Sequence, residues 1–366
     1  MLLRAICALV LLGTLAVGLW PFHRPRNEVS WLSNDNGLSF GKYGSIVSAA
    51  PFMARSSQTD GSCSIEMWLQ ARKVKASGTI LAFYWPGSRA IPFALRQSLG
   101  DLVLLRRNDD ASRHGKRIRL YVDDVFSHPQ PAFVTISSGP SGTKIYVDGG
   151  LVKTAPNFRF SSRELTGQLV IGNAPATTDN WSGQLKGLAV YDRGLTADDV
   201  SQHYENWKTG WQATLAGSEG AVGLYLFNEG NGSVVHNQVD RATDLHIPER
   251  FFVLQEQFLE RPWDEFRPDW NYWKDVSINV GGFVPLGFFF YGYFSLLRRA
   301  EHPAAGTIVL GFAVSLTIEV LQAFLPTRDS GMTDLITNTL GTIVGVVVCK
   351  NRAIHAVLTQ AALSTE

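Results

Sequence analysis

Hydrophobic residues are concentrated at the two ends of the 366-residue chain, and a long stretch of mixed character separates them. The run from Leu2 to Trp20 is almost wholly apolar, and three more apolar runs lie at about Ile278–Leu297, Thr307–Leu325 and Leu335–Val348. A helix needs about 20 mainly apolar residues to cross a bilayer; the last run is short, but each can form a span. The pattern predicts four transmembrane helices, one within residues 1–20 and three within residues 275–350.

Residues 29–250 have a different pattern, with short alternating runs separated by Gly, Asn, Asp and Pro. Ser64–Ala71 alternates between apolar and polar positions, and Asp148–Gly150 separates two strand-like runs as a tight hairpin turn would. Thr196 precedes two aspartates, which is typical of a helix N-cap with acids in the first turn. These features predict an all-β sandwich that carries a short helix.

Basic residues beside the apolar runs indicate the orientation in the membrane. Arg298–His302 lies between the second and third runs and Lys350–Arg352 follows the last, so both clusters should face the cytoplasm. The sandwich is then outside, and both termini, including the tail 351–366, are inside. Leu2–Trp20 also has features of a cleaved signal peptide, but its length and the lack of a clear small-residue cleavage site favour a retained anchor.

Residues 251–274 are crowded with Phe, Trp and Tyr among acids and bases. This composition is typical of a segment at the membrane interface, so we expect it to lie along the outer surface and to lead into the second span. A last strand followed by a linker would account equally well for its first few residues.

Composition argues against several classes of function. The net charge is +1 and no Lys/Arg stripe interleaved with aromatics is present, so we expect no nucleic-acid partner. Cys7 and Cys349 lie in the apolar end segments and Cys63 is alone between them, so the sequence predicts neither a disulfide framework nor a Cys-based zinc site. No nucleophile elbow, zinc motif or Walker loop is present, which makes an enzyme a weaker hypothesis than a binding protein.

Polar residues occur in pairs at helical spacing within the last three predicted spans. Given the predicted orientation, the pairs lie at one membrane depth; they are Asp275 with Asn279, Glu319 with Gln322, and Asp334 with Asn338. Arg328 lies in the short outer loop between the last two spans. Because ionisable groups are costly in a bilayer, we expect Glu319 to face the bundle interior and all seven residues to form a ligand-binding polar pocket. The alternative is that these groups pair with one another only to hold the bundle together.

Several motifs of the sandwich resemble the LamG or concanavalin A-like lectin/glucanase group. They follow the family's order over residues 30–250, and are Ser64–Trp68, Tyr146–Gly149, Leu169–Asn173, Trp181–Thr196 and Leu224–Gly230. The resemblance implies a two-sheet jelly roll, a fold that hosts glycan binders, protein binders, hydrolases and plain spacers. The closely spaced carboxylate pattern of a glycosidase strand is missing, which argues against hydrolysis by this domain.

Members of this group often bind calcium, and oxygen ligands are available from Asp123, Asp124, Asn173 or Asp179. The simpler interpretation is that these residues lie in solvated turns. We expect no other metal or cofactor.

The apolar runs and their polar pairs resemble the VanZ-like family. The match follows the family's order and spacing over residues 270–350, and is carried by Asp275–Asn279, Phe283–Phe288, Glu319–Arg328 and Asp334–Gly341. Leu2–Trp20 would supply the family's first helix, with the LamG-like domain inserted in the first outer loop. The resemblance implies a cell-envelope role, because the family is named after a factor in glycopeptide-antibiotic resistance. Gly341-x-x-x-Gly345 predicts close packing of the last helix on a neighbour.

Together these patterns predict a multi-pass protein of the bacterial cytoplasmic membrane. The LamG-like domain would bind an envelope glycan or protein, and the membrane pocket would bind membrane lipid, as a lipid-linked or head-group ligand. Two alternatives are retained: a membrane transferase or hydrolase that uses Glu319 as base and Arg328 on a phosphate, and an oligomeric ion-coupled transporter.

Overall fold

A computed structural model describes residues 2–21, 23–53, 61–86, 91–107, 117–175, 179–218, 220–254, 258–266, 270–296, 301–326, 328 and 330–351. The chain divides into two compact units, one formed by Pro25–Gln255 and the other by Met1–Arg24 together with Glu256–Glu366. Of the predicted cytoplasmic flanks, Arg298 to Ala300 and the tail from Arg352 onward lie outside the described residues.

The unit formed by Pro25–Gln255 consists of two antiparallel sheets. Sheet I has the strand order β1 (Val29–Trp31), β2 (Leu38–Phe40), β13 (Gly183–Tyr191), β4 (Cys63–Ala71), β9 (Ala132–Gly139), β10 (Gly142–Val147) and β11 (Gly150–Ala155), with β14 (Ala221–Tyr225) also paired to β13. Sheet II has the order β15 (Val234–Val235), β16 (Leu245–His246), β3 (Ile46–Ser48), β12 (Gln168–Ile171), β5 (Ser77–Tyr84), β6 (Phe93–Ser98), β7 (Asp101–Arg107) and β8 (Arg117–Val122).

The main core lies between the two sheets and follows the two-residue period of the strands. Met67 and Leu69 of β4 and Leu81 and Phe83 of β5 belong to it, whereas Ala82 joins a separate cluster on the other face of sheet II. The predicted hairpin turn is confirmed: Asp148 and Gly149 have φ of 50° and 80°, and β10 pairs with β11 across them.

A helix covers the other face of sheet I. Helix α2 (Ala197–Thr209) begins at Thr196, whose side chain accepts from the backbone N–H of Asp199 in a reciprocal capping box. It ends at Gly210, whose φ of 86° suits a left-handed cap. Trp207 of α2 packs with Phe133 of β9 in a second hydrophobic cluster. The predicted N-cap is confirmed. The helix also buries a face of sheet I, although the strands of this sheet alternate between apolar and polar residues.

The other unit is helical. Its elements are α1 (Leu2–Leu19), α3 (Pro262–Glu265), α4 (Trp270–Leu296), α5 (Pro303–Gln322) and α6 (Met332–Cys349). By length and composition α1, α5, α6 and the Tyr272–Leu296 part of α4 can cross a membrane. The predicted fold class, an all-β sandwich plus a four-helix membrane bundle, is confirmed. Helix α4 begins at Trp270, so the end of the predicted interfacial segment is helical.

Small residues allow α6 to pack closely on α4. A Cβ atom added to Gly341 would lie 2.2 Å from the Val280 carbonyl oxygen, and one added to Gly345 would lie 2.2 Å from that of Val284. Such distances leave no room for a side chain, so the prediction of close packing through Gly341 and Gly345 is confirmed.

Candidate functional site

The first part of the candidate site joins α4 to α6. The Asn279 side chain donates from Nδ2 to Oδ1 of Asp334 over 2.8 Å. Asp334 lies in the first turn of α6, which begins after Gly331. A carboxylate at this position interacts favourably with the positive end of the helix dipole. Two residues separated by 55 positions thus meet at the end of the bundle where α6 begins.

Glu319 is the most deeply placed acid of the site. It lies in the last turn of α5 and is 1% exposed. Its Oε2 accepts a hydrogen bond from the backbone N–H of Gly331 over 2.9 Å, directly before α6. The expectation that Glu319 faces the bundle interior is therefore confirmed, and a backbone donor at a helix amino terminus contributes to solvating its carboxyl group.

A second polar contact lies one turn deeper. The Asn338 side chain donates from Nδ2 to Oγ of Ser315 over 3.0 Å, and both residues are buried. Ser315 precedes Glu319 by four residues on α5, and Asn338 follows Asp334 by four residues on α6, so each pair shares a helix face. Each of the two helices therefore presents two polar residues, one turn apart, on one face.

Gln322 and Arg328 contact the end of α1. The Gln322 Nε2 donates to the Gly18 carbonyl over 2.7 Å, and the Arg328 Nε donates to the Trp20 carbonyl over 3.1 Å. Their described contacts stabilise a helix terminus whose carbonyls lack intrahelical donors. Asp275 is exposed near the start of α4, and no hydrogen bond or ion pair of its carboxylate is seen within the described parts of the chain.

A short strand-like segment borders the same end of the bundle. The backbone N–H of Glu260 donates to the Ser330 carbonyl over 3.0 Å, and Met332 N–H donates to the Glu260 carbonyl over 2.9 Å. These bonds form a parallel bridge between Glu260 and Gly331, the residue whose N–H binds Glu319. The backbone around Glu260 thus helps to position the donor that holds the buried carboxyl group.

The candidate calcium ligands of the sandwich already have protein partners. Asp179 lies 3.0 Å from the Arg96 guanidinium and accepts from Thr79, and Asn173 accepts from the Asp179 backbone N–H over 2.9 Å. Asp123 pairs with Lys153 at 3.8 Å, and Asp124 accepts from Ser127 over 2.7 Å. Within the described residues no group of three or more His, Cys, Asp or Glu side chains is placed to hold a metal ion. Calcium binding stays a prediction.

A buried polar cluster lies beneath α2. Glu66 of β4 is 0% exposed; its carboxyl oxygens lie 3.0 Å from Nδ1 of His203 and 3.0 Å from the Tyr191 hydroxyl, which donates to it. Thr135 donates to the same carboxyl group at 3.4 Å. Burial, together with the neighbouring Glu66, raises the pKa of Tyr191 well above its usual range. This cluster fixes α2 on sheet I.

Family comparisons give one match in each region of the chain. A model of the concanavalin A-like lectin/glucanases superfamily matches residues 41–201, and a model described as VanZ/LLP1 matches residues 222–355. Models of two different families thus match separate parts of one chain. Both resemblances stated from the sequence are confirmed. The VanZ/LLP1 match begins within β14 and includes α4, α5 and α6.

The chain also has distant similarity to solved structures. The receptor binding domain of botulinum neurotoxin D is 16% identical over 50% of this chain and 47% of its own length, with a TM-score of 0.37. A putative carbohydrate binding protein from Bacteroides ovatus is 12% identical over 61% of this chain and 63% of its own length, with a TM-score of 0.38. The chain thus spans about half of the neurotoxin domain. A comparison with curated proteins finds no match.

Within the helical unit, called the VanZ-like unit below, the structure gives six of the seven predicted site residues contacts between elements of the bundle. Asn279, Asp334, Glu319 and Asn338 make contacts among α4, α5 and α6 or the residue before α6, and Gln322 and Arg328 reach the end of α1. The sequence interpretation missed Ser315 and the backbone of Glu260. Ser315 had a signal, since it lies one helical turn before Glu319, whereas nothing in the sequence marked Glu260.

Proposed function

We propose that this protein is a multi-pass protein of the bacterial cytoplasmic membrane that binds an envelope glycan or protein with its concanavalin A-like domain. Its VanZ-like unit binds a lipid-linked or head-group ligand at the end of the bundle where α6 begins. In this arrangement the concanavalin A-like domain is extracytoplasmic and both termini are cytoplasmic. The observation that carries the proposal is the convergence of Asn279, Glu319 and Asp334 from three separate helices.

Polar groups of this kind are expensive in hydrocarbon and are seldom retained there without a role. The convergence combines carboxyl groups, side-chain amides and backbone N–H groups, the donors and acceptors that recognise the phosphate, sugar or amine of a lipid head group. A site at the end of a membrane-spanning bundle would lie within reach of lipid head groups.

Exposed aromatic residues at the same end support this depth. Trp20 follows α1 and its carbonyl accepts from Arg328, while Trp263 and Trp270 are 71% and 81% exposed at the starts of α3 and α4. Tryptophan is enriched where a membrane protein crosses from hydrocarbon to head groups, because its ring is apolar and its N–H is polar. These exposed tryptophans support the proposed position of this bundle end at the membrane interface.

Binding measurements on isosteric variants test the membrane site. The full chain, Glu319→Gln and Asp334→Asn are purified in detergent and titrated with fluorescent lipid-linked wall precursors and with anionic and amine-bearing phospholipids. We expect the variants to bind at least about tenfold more weakly than the wild type, a loss of about 1.4 kcal/mol.

Thr317→Ala is the matched control, because Thr317 is exposed on α5 and its hydroxyl bonds only to the helix's own Ala313 carbonyl among the described residues. It should bind like the wild type. If the wild type binds none of these lipids, the head-group function is wrong. The glycan function is tested separately, by binding of the full chain to purified wall glycans; retention by none of them contradicts a glycan partner.

A further inference from the structure

One buried polar atom of the VanZ-like unit has no partner among the described residues. Asn338 is 5% exposed, and its Nδ2 donates to Oγ of Ser315. Its other amide atom, Oδ1, is fully buried and accepts no hydrogen bond within the described chain. An unsatisfied buried acceptor costs roughly 1–3 kcal/mol, so natural bundles rarely retain one without a partner.

The surroundings of this atom are rich in oxygen. Ser315 is fully buried and shares the Asn338 contact, and Glu319 follows it by one turn on the same face of α5. Helices α5 and α6 therefore present a carboxyl group, an amide oxygen and a hydroxyl oxygen on the faces that meet at the Ser315–Asn338 contact.

We propose that this region is a binding site for a monovalent metal cation, with Ser315, Glu319 and Asn338 as oxygen ligands. Hard cations select carboxylate, carbonyl and hydroxyl oxygens, which are the groups present. A set with one carboxylate and otherwise neutral oxygens balances a single positive charge, whereas calcium sites usually recruit several acids.

The cation site shares Glu319 and Asn338 with the proposed head-group function but extends one helical turn deeper, to Ser315. Its occupancy does not require a lipid ligand. It is therefore tested without lipid-linked precursors or glycans, so that failure of the cation site and failure of the head-group function are separate results.

The test is thermal unfolding of the purified full chain in detergent, at constant ionic strength, in sodium, lithium, potassium or choline chloride. At about ten times the dissociation constant, the favoured cation should raise the unfolding temperature by roughly 3–5 °C relative to choline. Ser315→Ala and Asn338→Leu should lose this difference, and Thr317→Ala should keep it. If Asn338→Leu fails to fold, Ser315→Ala carries the test, since it removes only one oxygen.

Three results would overturn the proposal. Equal unfolding temperatures in choline and in all three metal chlorides would mean that a buried water, not a cation, occupies the region. Stabilisation on acidification without any cation preference would mean that a protonated Glu319 replaces the ion. A cation preference that survives in both Ser315→Ala and Asn338→Leu would place the ion elsewhere.

Discussion

Removal of the Glu66 carboxyl group should detach α2 from sheet I. Glu66 is fully buried, and it receives contacts from three different elements: Tyr191 of β13, Thr135 of β9 and His203 of α2. Glu66→Ala leaves the Tyr191 hydroxyl and the His203 ring nitrogen without their acceptor in a site that solvent does not reach. Glu66→Gln keeps the shape of the side chain and one acceptor oxygen, so its effect should be smaller.

The size of the effect follows from the two contacts at 3.0 Å. Each buried polar group that loses its partner costs about 1–3 kcal/mol, which gives about 2–6 kcal/mol for the tyrosine and histidine together. A domain of this size loses about 2–4 °C of unfolding temperature per kcal/mol. We therefore expect Glu66→Ala to unfold roughly 4–24 °C below the wild type.

Unfolding of the full chain in detergent is followed by tryptophan fluorescence, and hydrogen exchange of peptides from α2 locates the change. Glu205→Ala is the control, because Glu205 is an exposed acid of the same helix and its pairing with Lys208 should contribute well under about 1 kcal/mol. The reasoning is wrong if Glu66→Ala unfolds within about 1 °C of Glu205→Ala and exchange in α2 is unchanged.

Two further predictions concern packing and pH. Gly341→Leu should lower the stability of the helical bundle by about 3 kcal/mol or more, because its Cβ would lie 2.2 Å from the Val280 carbonyl oxygen, and it should reduce the yield of monodisperse protein in detergent. Gly281→Leu is the control: a Cβ added there has nothing within 4 Å, so its yield should equal that of the wild type. The Arg193 guanidinium bonded to Asp199 holds the pKa of that carboxyl well below its usual range, so its stabilisation is full above the unfolded pKa of about 4 and is lost as pH falls. The difference in unfolding temperature between wild type and Asp199→Asn should shrink between pH 7 and pH 3; a constant difference would refute this assignment.

Local features of the fold could be predicted because neighbouring residues determine them. The turn at Asp148-Gly149 needs positive φ, and the cap at Thr196 needs a side-chain acceptor followed by an acid. Each is therefore predictable from a motif of a few residues. Close packing of α6 on a neighbouring helix was predictable in the same way, since Gly341 and Gly345 remove side chains from one face; that this neighbour is α4 is known from the structure. The pairing order of the strands depends on residues far apart in the chain and was not predicted; the family resemblance implied only a two-sheet jelly roll.

For the candidate site, the sequence predicted which helix face each polar residue occupies but not which group it contacts. Helical spacing placed Glu319 and Gln322 on one side of α5, yet the structure gives them different partners, the Gly331 N–H and the Gly18 carbonyl. Both partners are backbone groups, and every residue type offers the same backbone groups. The sequence therefore does not indicate which backbone group will form a hydrogen bond with a buried side chain. The role of the Glu260 backbone could not be predicted for the same reason.

Two buried glutamates show that the solvent around a segment determines whether the orientation of an acidic side chain can be predicted from its sequence. Glu319 lies in an apolar run, and since lipid cannot solvate a carboxyl group, its inward orientation followed from the sequence and is what the structure shows. Glu66 lies in an alternating strand, where the polar face meets either water or another element of the fold. Helix α2, which begins about 130 residues later, covers that face and supplies His203. In a bilayer an acidic side chain can only be directed into the bundle. In an aqueous domain it can face either water or another element of the fold, and only the tertiary structure shows which.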